Sequence, residues 1–305
     1  MTISRRLFPN SSAMGEPSIA ASAATVSNLA TSEGSIVLTS LSADDRRRAF
    51  RDITSGIRQW RIWWLLGTGD IRSRYARSRL GQLWITVSMA IFVIAIGLVY
   101  SMLFNQPIQQ FLPYIAANMV VWALIAGIIG ESGTIFTQSE SFLRQEPLPR
   151  TVFVMRILVR NTMSFAHNII LVPICFLAMG HWPSWTWLLV PLGLGLILIA
   201  GFFTALLLGL LCTRFRDLPQ IIQSIIQIAF LITPVMWPAE SLRGKAAWVV
   251  NYNPFAAFLH IVAEPLRGIV PSAWTYSLAV AAILLLAAAS LPLFTRFRAR
   301  IVYWL

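Results

Sequence analysis

Lysine is nearly missing from this chain. Among 24 basic residues only Lys245 is a lysine, and it does not stand in a GxxxxGK[ST] loop. A phosphate-binding loop of that kind is therefore excluded, and any use of ATP needs a second chain to hydrolyse it. Acids are scarce too. Asp and Glu number 12 in 305 residues, and charged residues make up 12% of the chain, about half the share of a soluble domain. Beyond residue 70 the acids are Glu131, Glu140, Glu146, Asp217, Glu240 and Glu264. None falls in the middle of an apolar run, and no two have catalytic spacing. That argues against a membrane-bound glycan-modifying enzyme, which needs such a pair. An ion-coupled carrier would show intramembrane carboxylates and internal repeats, and a channel a filter motif. None of these is evident.

Only two cysteines are present, Cys175 and Cys212, each inside an apolar segment. They are expected to be buried thiols and not a disulfide. No Cys/His cluster has metal-ligand spacing, so neither a metal nor a cofactor is expected. His167 is the one titratable group well inside an apolar run, and without an acid partner it is expected to pack and not to relay protons.

What the chain does have is apolar sequence, 57% of it, and a net charge of +12. Together these indicate an all-α integral membrane protein with basic cytoplasmic loops; nucleic acid is not an expected partner. Six membrane helices are predicted, at about 83–104, 112–130, 161–179, 187–212, 220–237 and 274–295. With that assignment every basic residue except Arg243, Lys245 and Arg267 falls on one side. Both termini are then cytoplasmic.

Residues 1–43 are rich in Ser, Ala and Thr and are expected to form a disordered cytoplasmic tail, with the folded domain at 44–305. Ser42 with Asp45 three residues on is a capping-box pattern, so a helix should follow. Ile53, Ile57, Trp60 and Trp64 share a face of it, among many arginines, as in a helix lying in the membrane interface. Gly67-Thr68-Gly69-Asp70 should break that helix. The loop at 131–160 contains Glu140, Arg144, Glu146, Pro147 and Pro149. It is expected to carry a short helix where a cytoplasmic partner docks. The loop at 239–273 has two apolar portions, each too short to span. They are predicted to form a re-entrant helical hairpin between the fifth and sixth spans.

The segment 214–240, RFRDLPQIIQSIIQIAFLITPVMWPAE, carries Gln220, Gln223, Ser224 and Gln227 within an arc of roughly 100°. Ile221, Ile222, Ile225, Ile226 and Phe230 lie opposite. An unpaired amide in hydrocarbon costs several kcal/mol, so the stripe should face other helices or a wet path. Tyr100 and Trp122 are candidates for the aromatic part of such a path.

Five stretches together resemble the ABC-2 type permeases, in particular the branch that exports O-antigen, capsule or teichoic acid polysaccharide. They are RYARSRLGQLW at 74–84, SFLRQEPLPR at 141–150, RFRDLPQIIQSIIQ at 214–227, LITPVMWP at 231–238 and NYNPFAAF at 251–258. The resemblance spans about residues 45–305. It implies a homodimer in the bacterial cytoplasmic (inner) membrane with a separate ATP-binding cassette ATPase, and a lipid-linked glycan as cargo. It implies that Arg74, Tyr75, Arg77 and Arg79 form an elbow able to attract a carrier diphosphate. Glu140, Arg144 and Glu146 would couple to the ATPase, and Asn253, Pro254 and Phe255 would belong to an outer gate. A small hydrophobic compound or drug is the alternative cargo.

Overall fold

The computed structural model of the protein describes residues 43–239 and 248–305. The expected tail and the capping serine Ser42 lie outside the described residues. Every regular element among those described is helical.

The chain begins with α1 (Ala43–Arg58) and α2 (Trp60–Arg74). Asp44 and Asp45 stand in the first turn of α1, where carboxylates suit the helix dipole. The break in this region comes at Gln59, not at Gly67–Asp70, which is helical throughout. The indole of Trp63 donates to the Ile57 carbonyl at 3.2 Å and so serves the frayed end of α1.

Among the described residues, five helical segments are long and apolar enough to cross a membrane. The first is α3 (Leu83–Leu103) and the second α4 (Ile108–Ser132). A short α5 (Glu140–Gln145) follows, then α6 (Thr151–Asn168) and α7 (Leu171–Ala178), which together make the third segment. This segment starts at Thr151 and not near 161, so Arg156 and Arg160 are helical residues. The fourth is a 3-10 turn at Trp185–Leu189 leading into α8 (Val190–Arg214). After α8 comes α9 (Leu218–Ile232), which has 15 residues, about 22 Å of helix. It stops at Ile232, short of the expected 237, because Thr233 turns extended ahead of Pro234. The loop beyond holds α10 (Trp248–Asn251) and α11 (Pro254–Leu266). The fifth long segment is α12 (Ala273–Phe297), extended to Trp304 by a 3-10 turn and α13 (Ile301–Trp304). Thus five long segments and one short helix stand where six spans are expected.

The centre of the molecule is α4. Its residues from Phe111 to Ile128 are buried almost all round, against α8, α11 and neighbouring helices. By contrast α3 buries only Val93, Gly97 and Ser101, leaving one wide apolar face open. A second, smaller core of Phe136, Phe153, Leu206, Phe294 and Ile301 joins α6, α8, α12 and α13. Cys175 and Cys212 are buried free thiols.

Two fixtures join α1 and α2 to this body. Asp52 is buried; it accepts from the Thr151 amide at 3.2 Å and the Thr151 hydroxyl at 2.7 Å, and from Arg298 at 3.1 Å. A carboxylate on the first amide of α6 is favoured by the helix dipole as well as by its hydrogen bonds. Lower down, Gly67 lets α2 lie directly on α6. A Cβ there would come within 2.9 Å of Val159 Cγ1 and 3.0 Å of the Arg156 carbonyl. Gly67→Leu should therefore destabilise the protein by about 1–3 kcal/mol through overpacking. A thermal melt of the solubilised protein checks this, and an unchanged midpoint would mean that α2 can lift away freely.

Candidate functional site

Pro219 opens α9 at the position where a proline costs no hydrogen bond, and Asp217 precedes it. The four polar side chains Gln220, Gln223, Ser224 and Gln227 are all exposed on the single chain. Gln223 Nε2 lies 3.5 Å from the Gly130 carbonyl, and the Ser224 hydroxyl donates to Gln220 O at 3.3 Å. Ile222 and Ala229 are buried against α4, while Ile221, Ile225, Ile228 and Leu231 stay open. So α9 is held along one edge only, and its polar stripe and most of its apolar face are both exposed. Behind it lies an apolar cavity of about 340 Å³ reached by Ile222, Ile225, Ile125, Phe255 and Phe258.

The far end of α9 is tied down. Tyr114 Oη lies 3.0 Å from the Pro234 carbonyl and 2.6 Å from that of Trp237. Asn118, buried in α4, donates to Pro234 and Val235 at 3.3 and 3.2 Å. Asn253 accepts from Phe255 N at 2.9 Å, capping α11, and donates to the buried Thr233 hydroxyl at 3.1 Å. The Thr-Pro-Val turn is thus clamped by α4 on one side and by the start of α11 on the other. Pro254 supplies the first turn of α11. Trp122 is only 6% exposed and packs between Phe230 and Phe255, with ring centroids 5.6 and 6.2 Å away. Tyr100 is half-buried elsewhere, in a run of rings through Phe104 and Phe111 to Tyr114. The expected path residues are therefore not gathered within one chain. The glutamines form one surface, Trp122 is enclosed, and Tyr100 belongs to a different helix face.

At the other end of α4 the fold assembles a charged network across three helices. Asp70 of α2 accepts from Arg156 Nε at 2.7 Å and Nη2 at 2.6 Å, a two-pronged pair. Arg160 donates to Asp70 at 3.1 Å, and to Glu131 of α4 at 2.8 and 3.0 Å. Asn161 also donates to Glu131, at 2.6 Å, and Arg74 approaches it at 3.8 Å. The Arg160 side chain is 9% exposed. Two acids far apart in sequence, Asp70 and Glu131, thus share Arg160. A spacing rule could not find this, because the partners are 29 to 90 positions apart. The available signal was the pair Arg156 and Arg160, one helical turn apart beside an otherwise apolar run.

The elbow follows α2. Arg74 touches the network, Tyr75 is half-buried at the helix end, and Arg77 and Arg79 are exposed without an ion pair among the described residues. Gly81 takes φ +56°, a conformation costly for other residues, and turns the chain into α3. In the loop at 131–160, Arg144 pairs with Glu140 at 2.8 Å along α5, and both are exposed or half-exposed. Glu146 is exposed beyond the helix end, while Leu143 anchors α5 to the core. His167 meets the Met163 carbonyl through Nδ1 at 2.8 Å, as a packing residue would.

Residues 61–265 match the profile of a family described as ABC-2 type transporter. The chain is 24% identical over 195 residues to the O-antigen export system permease protein RfbA of Myxococcus xanthus. The matched stretch covers 62% of this chain and 74% of that protein. It is 21% identical over 192 residues to a protein of the same description from Klebsiella pneumoniae, with the same coverage.

Proposed function

The chain belongs to the ABC-2 type transporter family, and from that premise we propose that it is the membrane permease of an ATP-driven exporter of a lipid-linked polysaccharide, of O-antigen or capsule type. The observation that carries this reading is the similarity to O-antigen export permeases across 62% of the chain. In this reading a separate ATP-binding cassette ATPase supplies the energy, and a second copy of the chain completes the conduit. The protein sits in the bacterial inner membrane with both termini inside. The short α9 is the fifth of six crossings, α1 and α2 lie at the cytoplasmic interface, and α10 with α11 form a re-entrant outer gate. Gln220, Gln223, Ser224 and Gln227 face the conduit or the partner copy, Tyr100 belongs to the same path, and the buried Trp122 has a supporting part. Arg74, Tyr75, Arg77 and Arg79 attract the carrier diphosphate. Asn253, Pro254 and Phe255 hold the gate.

A deletion strain stained for surface glycan tests the cargo. Loss of glycan, restored by the wild-type gene, supports the proposal. The apolar cavity behind α9 favours a second reading, export of a small hydrophobic compound; intact glycan in the deletion strain would leave that reading standing and remove ours.

The exposed α5 gives a narrower expectation. Arg144→Glu places three acids, with Glu140 and Glu146, on a surface where opposite charges now alternate. Exposed pairs contribute little to stability, so the fold should hold. Recovery of the ATPase subunit in a pull-down should nevertheless fall several-fold. Undiminished recovery takes α5 off the docking surface.

A further inference from the structure

A second apolar hollow, larger than the one behind α9, stands apart from that helix. It lies where the corner of α1 and α2 overhangs α6, α8 and α12, and encloses about 850 Å³. Its walls include Phe50, Ile57 and Trp64 on one side and Met163, Ile199 and Phe202 on the other. Phe50 is 69% exposed, and Ile57, Trp64 and Ile199 are each nearly half exposed. Thr162 brings the only side-chain hydroxyl in the lining. An open apolar hollow this size, at the edge of a membrane protein, suits hydrocarbon.

The charge around α1 says which hydrocarbon. At 100° per residue, three faces follow one another round the helix. Ala49, Asp52 and Gly56 face the body and are buried. Next come Phe50, Ile53 and Ile57, which line the hollow. Next again, within an arc of roughly 40°, come Arg47, Arg51 and Arg58. All three arginines are exposed, and none makes an ion pair among the described residues. A row of unpaired guanidinium groups thus borders the mouth of an apolar hollow. Guanidinium groups bind phosphate through paired hydrogen bonds and attract anionic headgroups most strongly.

We propose that this hollow is a binding site for one anionic phospholipid, with its acyl chain in the apolar cleft and its phosphate on Arg47, Arg51 and Arg58. The lipid bridges the α1–α2 corner to α6 and α8, the same junction that Asp52 and Gly67 secure from within.

Titrating the purified full chain in mild detergent with palmitoyl-oleoyl phosphatidylglycerol or phosphatidylcholine tests this. Bound lipid is read by native mass spectrometry and stability by the thermal midpoint. Phosphatidylglycerol should bind at one per chain, at least ten-fold tighter than phosphatidylcholine, and should raise the midpoint. Equal binding of the two lipids by the wild-type chain overturns the proposal without need of any variant. The variant Arg47→Glu/Arg51→Glu/Arg58→Glu should keep its fold and lose the preference; a preserved preference refutes the arginine contact. Ile199→Trp should fill the cleft and abolish binding of the single lipid, whereas unchanged stoichiometry would put the lipid elsewhere. These measurements read lipid and not export, so their failure leaves the glycan proposal intact, and the reverse also holds.

Discussion

Arg160→Ala should destabilise the protein by roughly 3–5 kcal/mol, the usual penalty for removing one partner of a buried charge group. Among the described residues Arg160 is the one that joins Asp70 to Glu131, and so joins α2 to α4 through α6. Without it, Glu131 keeps the Asn161 amide and a distant Arg74 at 3.8 Å. Asp70 keeps its two-pronged contact to Arg156. The loss therefore concentrates at Glu131, a carboxylate left with too little positive charge in a partly buried place. The measurement is the thermal midpoint of the solubilised variant beside wild type. A second substitution sharpens it: Glu131→Gln in the Arg160→Ala background should restore part of the loss, because the uncompensated charge is gone. A wild-type midpoint for Arg160→Ala would show that water already serves Glu131 and that the three helices are joined by packing alone.

The second large effect concerns transport and not stability. Gln223→Leu/Gln227→Leu should insert and accumulate like wild type, since both side chains are exposed and make no strong hydrogen bond among the described residues. Leucine is also the better residue wherever lipid is the neighbour. Export should nonetheless fall roughly thirty-fold, if each amide contributes about 1 kcal/mol of hydrogen bonding to cargo or partner. Surface glycan per cell, normalised to the amount of permease in the membrane, reads this. Wild-type export would reduce the stripe to a bystander.

The parts of the fold legible in the sequence are those decided locally. Long apolar runs announce α3, α4, α8 and α12 within a few residues, because burial in lipid depends on composition over some twenty positions. The short helix before Pro147 and the two helical pieces of the 239–273 loop follow from proline placement in the same way. What stayed hidden depends on partners far along the chain. Gly67–Asp70 has the composition of a helix breaker, yet it remains helical. Gly67 is needed for close contact with Val159, and Asp70 finds two arginines. Likewise Arg156 and Arg160 look like loop residues until Asp70 and Glu131 neutralise them, after which α6 can begin at Thr151. The polar stripe of α9 is legible in the sequence, but what it faces is not. One chain contains only the edge it rests on.

The clamp at the far end of α9 also constrains how the protein is made. A 15-residue helix with three glutamines is a poor candidate to enter the bilayer by itself. Its Thr-Pro-Val end gains Tyr114 and Asn118 only from α4, which is synthesised a hundred residues earlier, and Asn253 only from what is synthesised afterwards. Biogenesis is therefore ordered. With α4 already in place, the emerging segment has a docking partner waiting, and the start of α11 arrives last to close it. A ribosome stalled before Asn253 would leave this segment secured from the α4 side alone.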